Sequence, residues 1–327
     1  MSGTPAVSVI VPCYNCAGSV VRALESLRSQ TLRDLELIVI NDGSSDETGK
    51  ILAAYQQAHP ELNIHLVTTE NQGIARTRTL GLSLVKGKYF GFLDSDDYAE
   101  PDMYQDLYEI AERSQLEVAV SDFYWENSKG RRLEKDGPYQ AGADMIVKLF
   151  AVLWNKLYRT SFIQGLDIRF PEGHHYEDTC YMYCLAGRIS RIGFTGKAYV
   201  HYVQHDNSIT HVSDEQVENM VSVFRTILAY YRDHQLDAKY HDALEYITIK
   251  TFIGNNFLRA VQIDDPAARR RAVNAGWDLL NREFPQWHAN PYLRSLGGMK
   301  NRYFRMVNQG NLMLFAWLFR HFGKSNL

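Results

Sequence analysis

The sequence predicts an α/β protein with a mostly parallel central sheet, flanking helices and a C-terminal helical region. Three observations carry this. Short apolar runs alternate with amphipathic stretches over the first 120 residues. Polar residues gather where those runs end. Near Ser213 the pattern turns helical. Size and composition agree: 327 residues, 45% hydrophobic and 22% charged, can bury a large core without disulfide or metal staples.

Val7–Val11, Leu35–Ile40, Ile64–Thr68 and Tyr89–Leu93 read as strands. The first, second and fourth are apolar almost throughout, as expected of strands covered on both faces of a parallel sheet. Between them, Ser19–Ser29, Asp46–Ala58 and Gly73–Leu84 have helical spacing, and Asp102–Arg113 and Glu117–Val120 add a helix and a strand. Residues 123–212 mix Gly, Pro and aromatic side chains and extend the same domain, so 1–122 and 123–212 form its halves. Ser213-x-x-Gln216 is a capping box. Val217, Met220, Val221, Phe224, Ile227, Leu228 and Tyr231 then recur at i, i+3, i+4 spacing, with further helix at Tyr240–Val261 and Pro266–Asn281. A boundary near 213 therefore separates domains 1–212 and 213–327.

A net charge of −3 argues against a nucleic-acid binder. It conceals an asymmetry, because residues 284–327 hold six Lys/Arg and no acid. There Leu312, Met313, Phe315, Ala316, Phe319 and Phe322 form an apolar stripe beside Trp317, with Lys300, Arg302, Arg305, Arg320 and Lys324 around it. Two readings stand: a segment at 300–324 lying on an anionic membrane surface, or a terminal helix docked on the body or on a second subunit. No apolar run is long enough to span a bilayer. Cys13, Cys16, Cys180 and Cys184 come without a signal-peptide pattern, so the expected setting is reduced and cytoplasmic, peripheral on the inner membrane face at most. Cys13-x-x-Cys16 has a spacing known from zinc and redox sites, yet it coincides with the turn after the first strand.

Pro12–Asn15, Asn41–Asp46 and Asp94–Asp97 all follow strands, and open parallel sheets bind ligands at that edge. Asp94-Ser95-Asp96 places two carboxylates in one strand-end turn. Such hard oxygen donors suit Mg²⁺ or Mn²⁺, and a solvated acidic turn is the alternative. Asp46 is placed to cap a helix. Asp42, at a strand's end, is placed to accept from a base or ribose. Tyr14 and Asn15 offer a ring and an amide to a nucleotide, or simply make a tight strand-to-helix connection.

Val7-Ser8-Val9-Ile10-Val11-Pro12-Cys13-Tyr14-Asn15, then Asn41-Asp42-Gly43-Ser44-Ser45-Asp46, then Phe92-Leu93-Asp94-Ser95-Asp96-Asp97 together resemble the family 2 glycosyltransferases of the GT-A fold, of the bacterial surface-polysaccharide type. The resemblance continues through Asn71-Gln72-Gly73, Arg78, Trp154-Asn155-Lys156-Leu157-Tyr158, Tyr176-Glu177-Asp178, and Tyr202 ahead of Ser208-Ile209-Thr210. It covers residues 6–212, while 213–327 carry no family signature. It implies an inverting, metal-dependent enzyme that moves a sugar from a nucleotide diphosphate donor, expected to be a UDP-sugar, to a glycan or lipid-linked glycan. Residues 1–122 would bind the nucleotide sugar and 123–212 would face the acceptor.

By the same resemblance Pro12, Tyr14, Asn15, Asp42, Asn71, Gly73, Arg78, Asp94, Ser95 and Asp96 line the donor site. Asp42 would meet uracil or ribose, Asp94 the ribose or a metal-bound water, and Asp96 the metal. Arg78 would steady the acidic cluster or the phosphates. The family commonly has Ala-Arg-Asn where this chain has Thr77-Arg78-Thr79, and Arg76 lies nearby, which leaves open the arginine that faces the donor. Asp178 is the candidate base, with a helix cap as its alternative role. His201 or His205 could meet phosphate or metal, or simply pack; Trp154 could stack on a sugar, or sit in the core. A non-catalytic binding module of the same fold is the rival function, opposed by the presence of Asp94, Asp96 and Asp178. A dinucleotide-dependent dehydrogenase is excluded, since Pro12-Cys13-Tyr14-Asn15 stands where G-x-G-x-x-G would be needed. A homo-oligomer is compatible with all of this.

Overall fold

β1 (Val7–Cys13) is buried at every position, which places it in the middle of a sheet covered on both faces. It pairs in parallel with β2 (Leu35–Asp42), which pairs in parallel with β3 (Asn63–Thr69). The helices α1 (Val20–Arg28), α2 (Thr48–Ala58) and α3 (Ile74–Leu84) alternate with these strands. β4 (Tyr89–Phe92) then returns to the other side of β1, again in parallel. The order β3-β2-β1-β4 sets a topological switch point between β1 and β4. The computed structural model describes residues 4–173, 175–204 and 214–322, without the side chains of 214–218 and 322.

Beyond β4 the sheet becomes mixed. β5 (Tyr98–Ala99), α4 (Met103–Arg113), β6 (Val118–Asn127) and β7 (Gly130–Glu134) precede α5 (Ala143–Lys148). β8 (Lys156–Arg159), α6 (Thr160–Gln164), α7 (Glu177–Ala186) and β9 (Ile192–Val203) follow. The described strands continue as β4-β8-β6-β9-β5, with β7 beside β6. β8 is antiparallel to β4 and β6, β9 is parallel to β6, and β5 is antiparallel to β9. The strand expected at Glu117–Val120 is the start of the longer β6. Its second half mixes polar and aromatic residues and is held by pairing to β7 and β9, which no apolar run announces.

The chain divides into two compact units. The first comprises Met1–Ala141, Lys148–Gly173 and Glu177–Asp206; the second comprises Gly142–Val147, His174–Tyr176 and Asn207–Leu327. Gly142–Val147 and His174–Tyr176, both within 123–212, thus group with the second unit, as does 207–212. The expected boundary near 213, Ser213 of the capping box, His174, His205, His211, Ser208-Ile209-Thr210 and Lys324 lie outside the described residues.

The second unit is helical: α8 (Asp214–Asp233), α9 (Asp237–Ile249), α10 (Asn256–Ala260), α11 (Pro266–Glu283), α12 (Tyr292–Ser295), α13 (Gly298–Met306) and α14 (Leu312–Phe322). The single helix expected over Tyr240–Val261 is interrupted by a π-helical turn, Lys250–Asn255, where Gly254 leaves helical geometry at φ −107°, ψ −105°. α11 starts as its sequence demands: Pro266 fills the first turn, and the Asp265 carboxylate accepts the Ala268 N–H at 2.7 Å.

Part of the stripe on α14 faces inward, while Met313 is exposed and the side chain of Phe322 lies outside the described residues. Leu312 and Ala316 are buried, and the rings of Phe315 and Phe319 lie 5.0 and 5.2 Å from Tyr303 of α13. Arg320 donates to the Val261 and Ile263 carbonyls and pairs with Asp264. Periodicity shows that a helix face is covered, not by what, and here the cover is the unit's own core. Among the described residues no helix is long and apolar enough to cross a membrane.

Candidate active site

The loops after β1, β2 and β4 leave the same edge of the sheet, as parallel register requires. In the first, Pro12 is buried while Tyr14 and Asn15 are exposed. Asn15 takes φ +48° and ties the first loop to the second. Its Oδ1 accepts the Ser45 N–H at 2.8 Å, and its own N–H donates to the Ser44 hydroxyl at 3.0 Å. The Asp46 carboxylate accepts the Thr48 N–H at 3.0 Å and the Ala17 N–H at 3.2 Å, so it caps α2 from just outside the helix.

Asp42 ends β2 and is buried. Its Oδ1 accepts the Gln72 N–H at 3.0 Å and the Thr69 hydroxyl at 3.3 Å, and its Oδ2 accepts the Gly73 N–H at 2.9 Å. It therefore fastens the loop that exposes Asn71 and Gly73. Two glycines permit this approach. Gly73 sits at φ +86° ahead of α3, and at Gly43, φ +64°, a Cβ would lie 2.4 Å from the Asn71 nitrogen. A carboxylate offers about four acceptor sites, so Asp42 retains room for one further donor.

In the third loop Asp94 and Asp96 are half-exposed, whereas Ser95 and Asp97 are buried. Asp97 accepts the Val203 N–H at 2.8 Å. Burial, with the charges of Asp96 and Asp94, pushes its carboxyl well above the usual range. Arg22 of α1 donates to the Asp96 carbonyl at 2.6 Å and lies 4.9 Å from the centroid of the Tyr98 ring. That brace carried no sequence signal, because a charged residue on the outer face of an amphipathic helix looks like ordinary solvation.

Arg78 of α3 lies buried behind this loop. One guanidinium nitrogen donates to Asp94 Oδ1 at 2.9 Å and the other to Glu177 Oε1, while Nε has no partner among the described residues. Burial works against its charge, but Asp94, Glu177 and Asp178 outweigh that and hold the guanidinium protonated. Arg76 instead pairs at the surface with Glu172, 2.7 Å away. The geometry thus puts Arg78 in the acidic cluster.

Glu177 and Asp178 open α7. Burial pushes the Glu177 carboxyl up to about 7 against the pull of Arg78. Asp178 is half-exposed as the second residue of α7, and its Oδ1 accepts the neighbouring Thr179 N–H at 2.6 Å. Burial raises this carboxyl too, with Arg78 opposing. Of the acidic pair, Glu177 is taken by Arg78 and Asp178 is the more accessible.

Beneath the first loop Cys13 is buried and Cys16 half-buried, both as free thiols. A hydrogen bond with Cys13 draws the Cys16 thiol down to about 7, helped by Ser95 and Thr48. His201 packs between carboxylates: Nδ1 lies 2.8 Å from Glu126 and Nε2 3.0 Å from Glu100, and its ring stacks on Tyr98. Trp154 is a core residue, stacked on Tyr202 and edge-on to Phe123.

The charge arrangement suits a divalent cation. The charges of Asp94 and Asp96 add to burial in raising Asp97, and that of Asp94 adds to burial in raising Asp178, beside the buried Arg78. Asp94 and Asp96, both half-exposed, are hard oxygen donors of the kind that could hold Mg²⁺ or Mn²⁺.

Solved structures share this architecture. Staphylococcus aureus TarS, residues 1–349, crystallised with UDP-GlcNAc, matches with a TM-score of 0.75 at 22% identity, covering 96% of this chain and 91% of that one. The mannosyltransferase PcManGT of Pyrobaculum calidifontis, in complex with GDP-Man and Mn²⁺, matches at 0.52 and 15% identity, covering 99% and 89%. The fold is GT-A, and the chain is a glycosyltransferase. The sequence profile of "Glycosyl transferase family 2" matches residues 8–184, which hold every loop described above, and the chain belongs to that family. By sequence it is 28% identical to the uncharacterized glycosyltransferase EpsJ of Bacillus subtilis over 250 residues, 71% of each chain.

Proposed function

We propose that this enzyme transfers a sugar from a UDP-sugar to a glycan or lipid-linked glycan of a bacterial surface polysaccharide, with inversion at the anomeric carbon and with Mn²⁺ or Mg²⁺ as cofactor. The observation that carries the reading is the half-exposed Asp94 and Asp96 at the switch point, joined through Arg78 to Glu177 beside Asp178. The UDP-GlcNAc bound to TarS supports the donor class, and the Mn²⁺ of PcManGT supports the cofactor. A lipid-linked acceptor would be met by a chain peripheral on the inner membrane face.

Pro12, Tyr14, Asn15, Asn71 and Gly73 receive the nucleoside, and Asp42 offers it the remaining acceptor site. Asp94 and Asp96 would hold the metal, with Ser95 beside them. A cation bound there would offset the charge that develops on the departing diphosphate. Arg78 keeps Asp94 and Glu177 in one frame, and Glu177 in turn fixes the start of α7. Asp178 takes the proton of the acceptor hydroxyl as that oxygen bonds to the anomeric carbon and the bond to diphosphate breaks. One base and one displacement give inversion. The raised Asp178 carboxyl brings this base nearer to neutrality, where it accepts a proton more readily.

The test is transfer from a panel of UDP-sugars to glycan acceptors, with the product's anomeric configuration read by NMR. We expect an inverted linkage, activity lost in EDTA and restored by Mn²⁺. Retention of configuration would refute the single displacement, and undiminished rate in EDTA would refute the metal. Donor binding without UDP release would favour the non-catalytic module.

A further inference from the structure

Residues 284–327 of the second unit are acid-free and basic, and their described part, 284–321, also exposes apolar side chains. Ten large hydrophobic side chains are exposed among the described residues, and six of them lie here: Leu296, Met299, Met306, Met313, Leu314 and Trp317. Single exposed apolar residues need no explanation, but a concentration of this kind marks an interaction surface. On α13 the two characters interleave, with Met299, Lys300, Arg302, Arg305 and Met306 all exposed. α14 adds Met313, Leu314 and Trp317 on positions other than Leu312 and Ala316, which dock it. Tyr303 of α13 meets Phe315 and Phe319 of α14, so the two helices are packed neighbours.

Among the described residues, Asp264 meets Arg320 at 3.1 Å and Glu245 meets Asn290 at 2.6 Å, so both of these acids are engaged. Lys300, Arg302 and Arg305 make no ion pair among the described residues. We propose that the exposed faces of α13 and α14 dock on an anionic lipid bilayer, a partner whose purpose rests on the lipid-linked acceptor read above. Methionine, leucine and tryptophan enter the boundary between headgroups and acyl chains, and the cations meet lipid phosphates. A second copy of the chain is the poorer occupant. In a two-fold contact the same patch faces itself, which would set Lys300, Arg302 and Arg305 against their own copies.

Cosedimentation of the full chain with phosphatidylcholine vesicles, with and without about one-third phosphatidylglycerol, tests this. We expect salt-sensitive binding to the anionic vesicles only. K300Q/R302Q/R305Q should lower partitioning about a hundredfold, and M299S/M306S/W317S should also release the protein. UDP affinity and thermal melting should be unchanged in both, which separates lost docking from lost folding. Equal partitioning onto neutral and anionic vesicles, or of wild type and the charge variant, would overturn the proposal. So would a dimer that M299S/M306S/W317S dissociates in a chain that ignores vesicles. If vesicle binding holds while no UDP-sugar is turned over, the proposed reaction falls and the docking surface stands.

Discussion

Arg78 and Lys156 are both buried cations of the first unit, each paired with acid, yet they are completed differently. The Lys156 ammonium donates to Asp136 at 2.7 Å, to Asn155 Oδ1 at 2.7 Å, and to the Phe150 and Val152 carbonyls at 3.0 and 3.1 Å. Asp136 also accepts from Tyr139, Asn155 and the Phe150 N–H, and neither member of the ion pair is exposed. Burial pulls the lysine below its ordinary pKa, with Asp136 opposing. The hydrogen bonds close on one another, and the charge of Asp178 also favours the protonated lysine. Around Arg78 the acids outnumber the base, Nε is left over, and Asp94 opens onto a half-exposed loop. A balanced buried pair acts as a strut, while a surplus of charge at the ligand-binding edge marks a candidate functional site.

The comparison can be broken at either end. Asp178→Asn should lower kcat about a thousandfold, within the range for losing a general base, with UDP affinity and melting temperature preserved. A variant as fast as wild type would remove the base. In the wild-type enzyme activity should fall as pH drops through the raised Asp178 carboxyl, because the protonated acid cannot accept the acceptor's proton. The acid limb of the kcat profile should therefore lie above the ordinary aspartate range.

At the strut the readout is stability. Asp136→Ala leaves a buried ammonium unpaired and should cost about 3–5 kcal/mol in urea unfolding, with little change in UDP affinity of the folded protein. Asp136→Leu combined with Lys156→Met should recover most of that loss. If Asp136→Ala abolished UDP binding in a stable protein, the division into strut and site would be wrong.

The smallest effect concerns Cys16. Its thiol, held near 7, should alkylate with iodoacetamide several-fold faster near neutral pH than a thiol of ordinary pKa about 8.5. UDP with Mn²⁺ should slow that reaction. Equal rates with and without nucleotide would place the first loop outside the donor site.

The parallel half of the sheet and its three polar loops were legible because apolar runs report burial on both faces, and chain order then fixes which loops share an edge. Arg78, Glu177 and Asp178 entered as candidates through the family resemblance, and the structure brings them together. Periodicity does not say where polar atoms bond. Asn15 and Asp42 turn out to spend oxygens on fastening neighbouring loops, Arg22 braces Asp96 from a distant helix, and Asp136 finds Lys156 from an irregular stretch. The α14 stripe shows the same limit on a larger scale. Its spacing announced an apolar face, and only tertiary packing showed that Leu312 and Ala316 are covered while Met313 stays exposed.

The central claim, that the surplus of acid beside Arg78 is a metal-assisted site for a nucleotide diphosphate, is tested most directly by calorimetric titration of UDP with and without Mn²⁺, in wild type and in Asp96→Ala, with GDP as comparator. We predict UDP binding that requires Mn²⁺ and preference over GDP, with the metal requirement abolished together with tight binding in Asp96→Ala. Equal UDP affinity with and without Mn²⁺, or no binding of either nucleotide, would contradict it.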